Sequence, residues 1–256
     1  MATTKSTTRW WARALTALRV LFPGLCLACA STLPPGQIID LCHECWRALP
    51  WLQNPCIRCA LPKAASEERG ASTEYAPGIC TECRAVPPLY SRTVAPLQYA
   101  DPVSVWVPAF KDRMNLSCGR TLGLILAAAA LDAYGAAGPD VLVPVPLDSR
   151  RIALRGHNQA VLLARQVGRI LDRPVLIGGA HRVRTVARQR GLGRAARFTN
   201  VSGAFAASPH VAGRSVAIVD DVITTGSTAT AMAEALRAAG ATDIHVLAVA
   251  RALRRG

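Results

Sequence analysis

The densest chemistry in the chain lies between Val216 and Thr228, which reads Val-Ala-Ile-Val-Asp-Asp-Val-Ile-Thr-Thr-Gly-Ser-Thr. An apolar strand runs into two consecutive acids, Asp220 and Asp221. A loop of small hydroxyl residues follows, and a helix opens after it. Ligands of parallel sheets bind beyond the carboxyl ends of the strands. A helix N-terminus offers free N–H groups to an anion. Gly226 lets backbone approach a phosphate closely, and Thr224, Thr225, Ser227 and Thr228 add hydroxyl donors. Asp220 and Asp221 would repel that phosphate, but they can accept hydrogen bonds from ribose hydroxyls or sit near Mg²⁺. A sugar phosphate satisfies both halves, with its diol on the acids and its 5′-phosphate on the amides. The G-x-x-x-x-G-K pattern of a Walker loop is absent from this segment.

A second constellation is built from cysteine. Eight of the nine cysteines form four C-x-x-C pairs: Cys26/Cys29, Cys42/Cys45, Cys56/Cys59 and Cys80/Cys83. Each such turn presents two thiolates on one side of a loop, and two turns complete the tetrahedral shell of Zn²⁺. Four pairs within 58 residues favour zinc over a redox or disulfide role. Sequential pairing leaves gaps of 12 and 20 residues, both suited to zinc ribbons. Interleaved pairing, first with third and second with fourth, satisfies the same chemistry. All-cysteine shells are closed, so the expected role is structural. His43 is expected to be a bystander.

The elements that position these groups follow from periodicity. Short apolar strands are expected at Thr93–Tyr99, Val141–Val145, Val175–Ile177, Ser215–Val219 and Asp243–Ala250. Helices are expected at Cys118–Tyr134, Gln159–Leu171 and Gly226–Ala239. Buried strands alternating with helices predict an α/β fold, a mostly parallel sheet flanked by helices. Residues 62–78 read as a loop, and Pro87-Pro88 closes the cysteine region. The expected domains are therefore a Cys-rich module over 1–88 and an α/β domain over 89–256. Trp11, Leu15, Leu18 and Phe22 follow a helical spacing. Arg19 and Pro23 interrupt any signal-peptide core, so a cytoplasmic location is expected.

Charged residues make up 18% of the 256 positions and apolar residues 51%, which excludes wholesale disorder. A net charge of +14 suits an anionic partner. The apolar run Leu122–Leu131 is shorter than the roughly 20 residues of a membrane span. Aromatic residues are only 5%, which disfavours a base-stacking platform.

The Asp-Asp loop resembles the phosphoribosyl diphosphate (PRPP) signature of type I phosphoribosyltransferases. The wider pattern resembles the ComF family, which joins an N-terminal zinc region to such a domain. It combines the C-x-x-C pairs with Leu142-Val-Pro-Val-Pro-Leu147, Arg155-Gly-His-Asn-Gln-Ala160, Gln189-x-Gly191-Leu192-x-Arg194 and the Asp-Asp loop. The resemblance implies ribose on Asp220 and Asp221, and the 5′-phosphate on Thr224, Thr225, Gly226, Ser227 and Thr228. It makes Val145–Arg151 a diphosphate loop, with Arg150 and Arg151 as its cations. Residues 185–200 would form a mobile loop carrying Arg188, Gln189, Arg190, Gly191 and Arg194. Asn158 and Gln159 match the family's Asn-Gln pair, preceded here by His157 where an aromatic residue is usual. The family often carries Lys-x-x-Gly after its first helix; here Lys111 is followed by Asp-Arg-Met, without the glycine.

Three functions follow as expectations. The first is a PRPP-binding protein acting in DNA uptake, with single-stranded DNA and a helicase-like competence protein as partners. The second is an active transferase making a nucleotide from Mg²⁺-PRPP and a nitrogenous base. The third is a PRPP-sensing, DNA-associated regulator. Structural Zn²⁺ and substrate-borne Mg²⁺ are the implied cofactors.

Overall fold

The computed structural model describes residues 24–63, 78–135, 137–183 and 203–253. The expected N-terminal helix, the loop residues Arg188, Gln189, Arg190, Gly191 and Arg194, and most of the 62–78 linker lie outside the described residues.

The central sheet is parallel throughout. Its strands are β1 (Arg92–Val94), β2 (Leu97–Gln98), β3 (Val141–Pro144), β6 (Ser215–Ile223) and β7 (Asp243–Arg251). They lie in the order β1-β7-β6-β3, with β2 also paired to β7. The expected strand Thr93–Tyr99 is split at Ala95-Pro96, because proline cannot donate to a ladder. The expected strand at Val175–Ile177 shrinks to one bridge between Leu142 and Val175, followed by a 3-10 turn at Ile177–Gly179. Strand β6 instead runs longer than expected, through both aspartates to Ile223. Two further strands, β4 (Ala180–Arg182) and β5 (Phe205–Ala207), pair antiparallel in a separate ribbon.

Side chains on a strand alternate between faces, and both faces of β6 and β7 are covered. On one face Val216, Ile218, Ile244, Val246 and Ala248 pack with Met232 and Leu236 of helix α7 (Ser227–Ala238). The other face meets helices α4 (Leu116–Tyr134) and α6 (Gln159–Leu171), which also pack on each other. The expected bounds of α6 coincide with those observed. Helix α4 is long and apolar enough to cross a membrane, yet half of its most apolar window is buried inside this fold.

Helix α3 (Val103–Arg113) precedes α4 and presses Phe110 against Gly119 of that helix, whose missing side chain leaves room for the ring. Two short helices, α1 (His43–Arg47) and α2 (Thr81–Ala85), follow the second and fourth C-x-x-C entries. Helix α5 (Ser149–Arg155) completes the set and is capped by the Asp148 carboxylate, which accepts from the Arg151 N–H at 2.8 Å.

The contacts of the chain divide it into residues 1–49 and 50–256. The third and fourth cysteine pairs therefore belong to the same compact unit as the sheet. A line at 88 marks the end of the cysteine-rich sequence and differs from this division.

The glycine missing after Lys111 has a structural counterpart. Met114 ends α3 in the left-handed region, at φ 52°. That is the conformation glycine adopts at a helix C-terminus. A side chain there costs about 1 kcal/mol. Met114→Gly is expected to raise the thermal midpoint by roughly 2–4 °C, the scale for a chain of this size; differential scanning calorimetry reads it directly.

Candidate functional site

The pleat of β6 sends its two acids to opposite faces of the sheet. Asp220 shares a face with Ile218 and Val222. With Thr224, Gly226, Ser227, Thr228 and Ala229 they line a shallow recess that opens to solvent. The loop above it is shaped locally. Gly226 stands at φ 83° as the N-cap of α7. Before the cap, Thr225 Oγ1 accepts from the Ser227 N–H at 3.4 Å and lies 2.6 Å from the Ser227 hydroxyl. A twelve-residue helix thus starts at the recess, with its first-turn N–H groups and positive dipole end directed there.

Asp221 faces the α3/α6 layer and is buried. Its Oδ2 receives the Lys111 ammonium at 2.8 Å and the Gln159 amide at 3.4 Å. Lys111 is thus tied to the second acid of the Asp-Asp pair. The oxygen Oε1 of Gln159 is buried with no hydrogen-bond partner. Asn158 caps α6 through Ala160 N–H and donates to the Val145 carbonyl at 3.0 Å, holding the turn after β3. His157 is a packing residue, its ring 5.8 Å from that of Phe110 between centroids. Its ring nitrogens lie 2.9 Å from the Arg155 carbonyl and 3.2 Å from the Phe110 carbonyl.

The Val145–Arg151 segment is a turn only as far as Asp148. Arg150 and Arg151 stand in the first turn of α5. Arg150 is exposed, and Arg151 is held by Asp148 at 3.1 Å. A third cation was missed from sequence. Arg182 of β4 donates to the Pro146 carbonyl at 3.2 Å and lies over the Phe205 ring, 4.8 Å from its centroid. Burial, and then the nearby Arg151 charge, lower its pKa. No periodicity marks Arg182, because its strand is three residues long.

Burial, and then the adjacent Asp221 charge, push the Asp220 carboxyl up to about 8. The hydrogen bond from the Asp221 N–H, at 2.8 Å, opposes this without overcoming it.

The cysteines gather into two clusters, Cys26/Cys29/Cys42/Cys45 and Cys56/Cys59/Cys80/Cys83, with all Sγ atoms of a cluster within 4.8 Å of one another. The pairing is sequential. Histidine takes no part, and His43 only begins α1. The clusters repeat one design. In each, a tight turn closes through an N–H of residue 30 or 60 bonding back to the carbonyl of Cys26 or Cys56. Ala30 and Ala60 are both left-handed, at φ 60° and 56°. The N–H groups of Cys42 and Cys80 donate to the sulfurs of Cys26 and Cys56, each at 3.3 Å. Such donors stabilise thiolates. The Ser31 side chain and backbone, then Cys26, hold Cys29 at about 6. The Cys59 thiol holds Cys56 at about 4 and is itself pushed up by that contact, as Cys45 is by Cys42, while burial pushes Cys83 up. Four convergent sulfurs with thiolate-stabilising donors fit tetrahedral zinc.

Comparison with known proteins agrees with this geometry. Residues 126–255 match the phosphoribosyl transferase domain family, and residues 17–84 match the double zinc ribbon domain. The chain is 36% identical over 192 residues to Competence protein F of Haemophilus influenzae, covering 72% of this chain and 82% of that protein. It is 33% identical over 234 residues to DNA utilization protein YhgH of Escherichia coli K12, covering 90% of this chain and 98% of that protein. The chain belongs to the ComF family. Among solved structures, the glutamine PRPP amidotransferase of B. subtilis, complexed with ADP and GMP, aligns with 27% identity and a TM-score of 0.34. That alignment covers 50% of this chain and 25% of the other.

Two outcomes follow for this ComF-family chain. Sequential pairing predicts that Cys29→Ser and Cys59→Ser each lose one of two bound zinc ions, and that the double variant loses both, by metal analysis of purified protein. Asp220 binds its proton more tightly folded than unfolded, so its contribution to stability falls as pH rises from about 4 to 8. Asp220→Asn removes that slope. At pH 8 the ligand-free variant should melt several degrees above wild type, with the two converging near pH 4. Parallel melting curves at both pH values would refute the assignment.

Proposed function

We propose that this chain binds Mg²⁺-PRPP in the recess at the carboxyl end of β6 and serves the handling of incoming DNA. One observation carries the ligand: a carboxylate, Asp220, faces a recess whose opposite side is the N-terminus of α7. A ribose hydroxyl donates to Asp220. The 5′-phosphate accepts from the N–H groups and hydroxyls of residues 224–228. The resemblance places the ribose on Asp221 as well, but its carboxylate lies on the opposite face of β6, bound to Lys111 and Gln159, and serves the recess by fixing the end of that strand. Arg150, Arg151 and Arg182 flank the turn after β3 and supply the remaining positive charge, Arg in particular offering paired donors to phosphate oxygens. Mg²⁺ is held mainly by the substrate's own oxygens, as is usual for this ion, and lowers the charge that the loop must meet.

The names of the two relatives support a role in DNA utilization or competence. The net charge of +14 suits contact with single-stranded DNA through its phosphates. A helicase-like protein is the expected protein partner. Transfer of the phosphoribosyl group to a base is the alternative outcome, since the recess could hold an oxocarbenium-like sugar.

Titration calorimetry with PRPP and Mg²⁺ tests the reading. Micromolar binding is expected, weakened at least 100-fold in Asp220→Asn and Asp221→Asn. Undiminished affinity in both folded variants, or no binding by zinc-loaded wild type, overturns the site. Diphosphate release on adding a panel of bases would establish the transferase alternative. Salt-sensitive binding of a fluorescent oligonucleotide tests the DNA contact.

A further inference from the structure

Arg251, the last residue of β7, is buried and joins two parts of the molecule that function has so far treated separately. Its Nε donates to the carbonyl of Cys59, in the second cysteine cluster, at 2.9 Å. Its Nη1 donates to the carbonyl of Ile223 at 2.9 Å and to that of Thr224. The guanidinium thus spans from a metal knuckle to the last residue of β6 and the first residue of the phosphate loop. Only arginine carries donors in a planar fork able to serve carbonyls on both sides at once.

The peptide geometry gives this contact a consequence. A trans peptide is planar, with its C=O and the following N–H pointing in opposite directions. Pinning the carbonyls of Ile223 and Thr224 back onto Arg251 turns the N–H groups of Thr224 and Thr225 the other way, away from Arg251. The Ala252 N–H adds a second hold on the Ile223 carbonyl, at 2.9 Å. Loop backbone is entropically free unless tied, and an anion site gains affinity from donors fixed in advance.

A second path runs beside the first. Thr93 of β1 donates its N–H to the Ile57 carbonyl at 2.7 Å, and its hydroxyl to the Arg58 carbonyl. Both acceptors lie in the Cys56–Cys59 turn. Three residues before Thr93, the buried Tyr90 places its hydroxyl 3.4 Å from the point where a side chain at Gly226 would begin. The second cluster therefore backs the phosphate loop through Arg251 and through the Tyr90–Thr93 segment.

We propose that Arg251 is a positioning residue for the phosphate loop, and that through it the metal state of the second cysteine cluster sets the affinity of the recess for PRPP. Loss of zinc from Cys56, Cys59, Cys80 and Cys83 frees the Cys59 carbonyl, slackens Arg251, and releases the Ile223 and Thr224 peptides. The proposal rests on the PRPP reading of the recess.

The test joins titration calorimetry with Mg²⁺-PRPP to hydrogen–deuterium exchange on full-length protein. Arg251→Gln should weaken PRPP binding at least tenfold and speed exchange at residues 223–228, while α4 and α6 keep wild-type protection. Arg251→Lys keeps the charge without the fork and should fall between the two, and it serves where the glutamine variant fails to fold. Cys59→Ser, or a zinc chelator on wild type, should reproduce the faster loop exchange with no substitution at Arg251. PRPP affinity within twofold of wild type in a folded Arg251 variant, or unchanged loop exchange after loss of the second zinc, overturns the proposal. Wild type that fails to bind PRPP, while its loop exchange still follows zinc, would refute the ligand and leave the coupling standing.

Discussion

Two carboxylates on consecutive residues of a buried strand are the constraint around which this fold is arranged. The pleat forbids them one common environment. Each charge needs its own compensation, because an unpaired buried carboxylate is costly. Asp221 receives it from within, through the Lys111 ammonium and the Gln159 amide. This requires α3 to deliver Lys111 and α6 to begin at Gln159, both on one side of β6. Asp220 faces the recess, where burial and then the Asp221 charge beside it keep its proton on well above the usual carboxylate range. The helix packing on one face and the opening on the other thus answer the same electrostatic problem in two ways.

The cysteine clusters answer a different need. Small segments without a core of their own require a staple, and the chain uses the same ribbon design twice, with matched turns at Ala30 and Ala60. The second copy is integrated into the unit that holds the sheet. Its turn is bonded to Thr93 of β1 and to Arg251 of β7. A zinc site at that position stabilises an edge of the sheet next to the strand ends that carry the ligand loop.

The signals that were legible in sequence are those with a strong local period or a fixed chemistry. Helix α6 was readable because Ala160, Leu163, Ala164 and Val167 recur on one face and all are buried. The Asp-Asp loop and the C-x-x-C pairs were readable because spacing alone dictates their geometry. The order of cysteine pairing was not, because both orders place four thiolates within reach of a metal. Lys111, Arg182 and Arg251 were not assigned roles for a related reason. Each acts across a long sequence separation, and neither the three-residue β4 nor the end of β7 gives a cation a periodic signature. Arg251 would pass in sequence for a solvated terminal charge. Only tertiary structure shows its donors turned onto Cys59, Ile223 and Thr224.

Selectivity for a ligand follows from the charge state of the recess. Near neutral pH the ligand-free Asp220 favours its proton, so the recess is not strongly anionic before binding. A bare phosphate gains from the α7 N-terminus but offers nothing to replace that proton. On the proposed reading, a ribose phosphate would bring hydroxyl donors to the acid while its phosphate occupied the N–H groups opposite, and a bound divalent cation would add further support for the ionised form. Ionising Asp220 then costs less with ligand than without it, so part of the binding energy is drawn from relieving a carboxylate that the empty fold disfavours. An acid kept uncomfortable in the free protein therefore favours the combination of diol, phosphate and cation over any one of them alone. On the same proposal, the peptides pinned by Arg251 would hold the other half of the site ready, so that the ligand would not have to order the loop as it arrives.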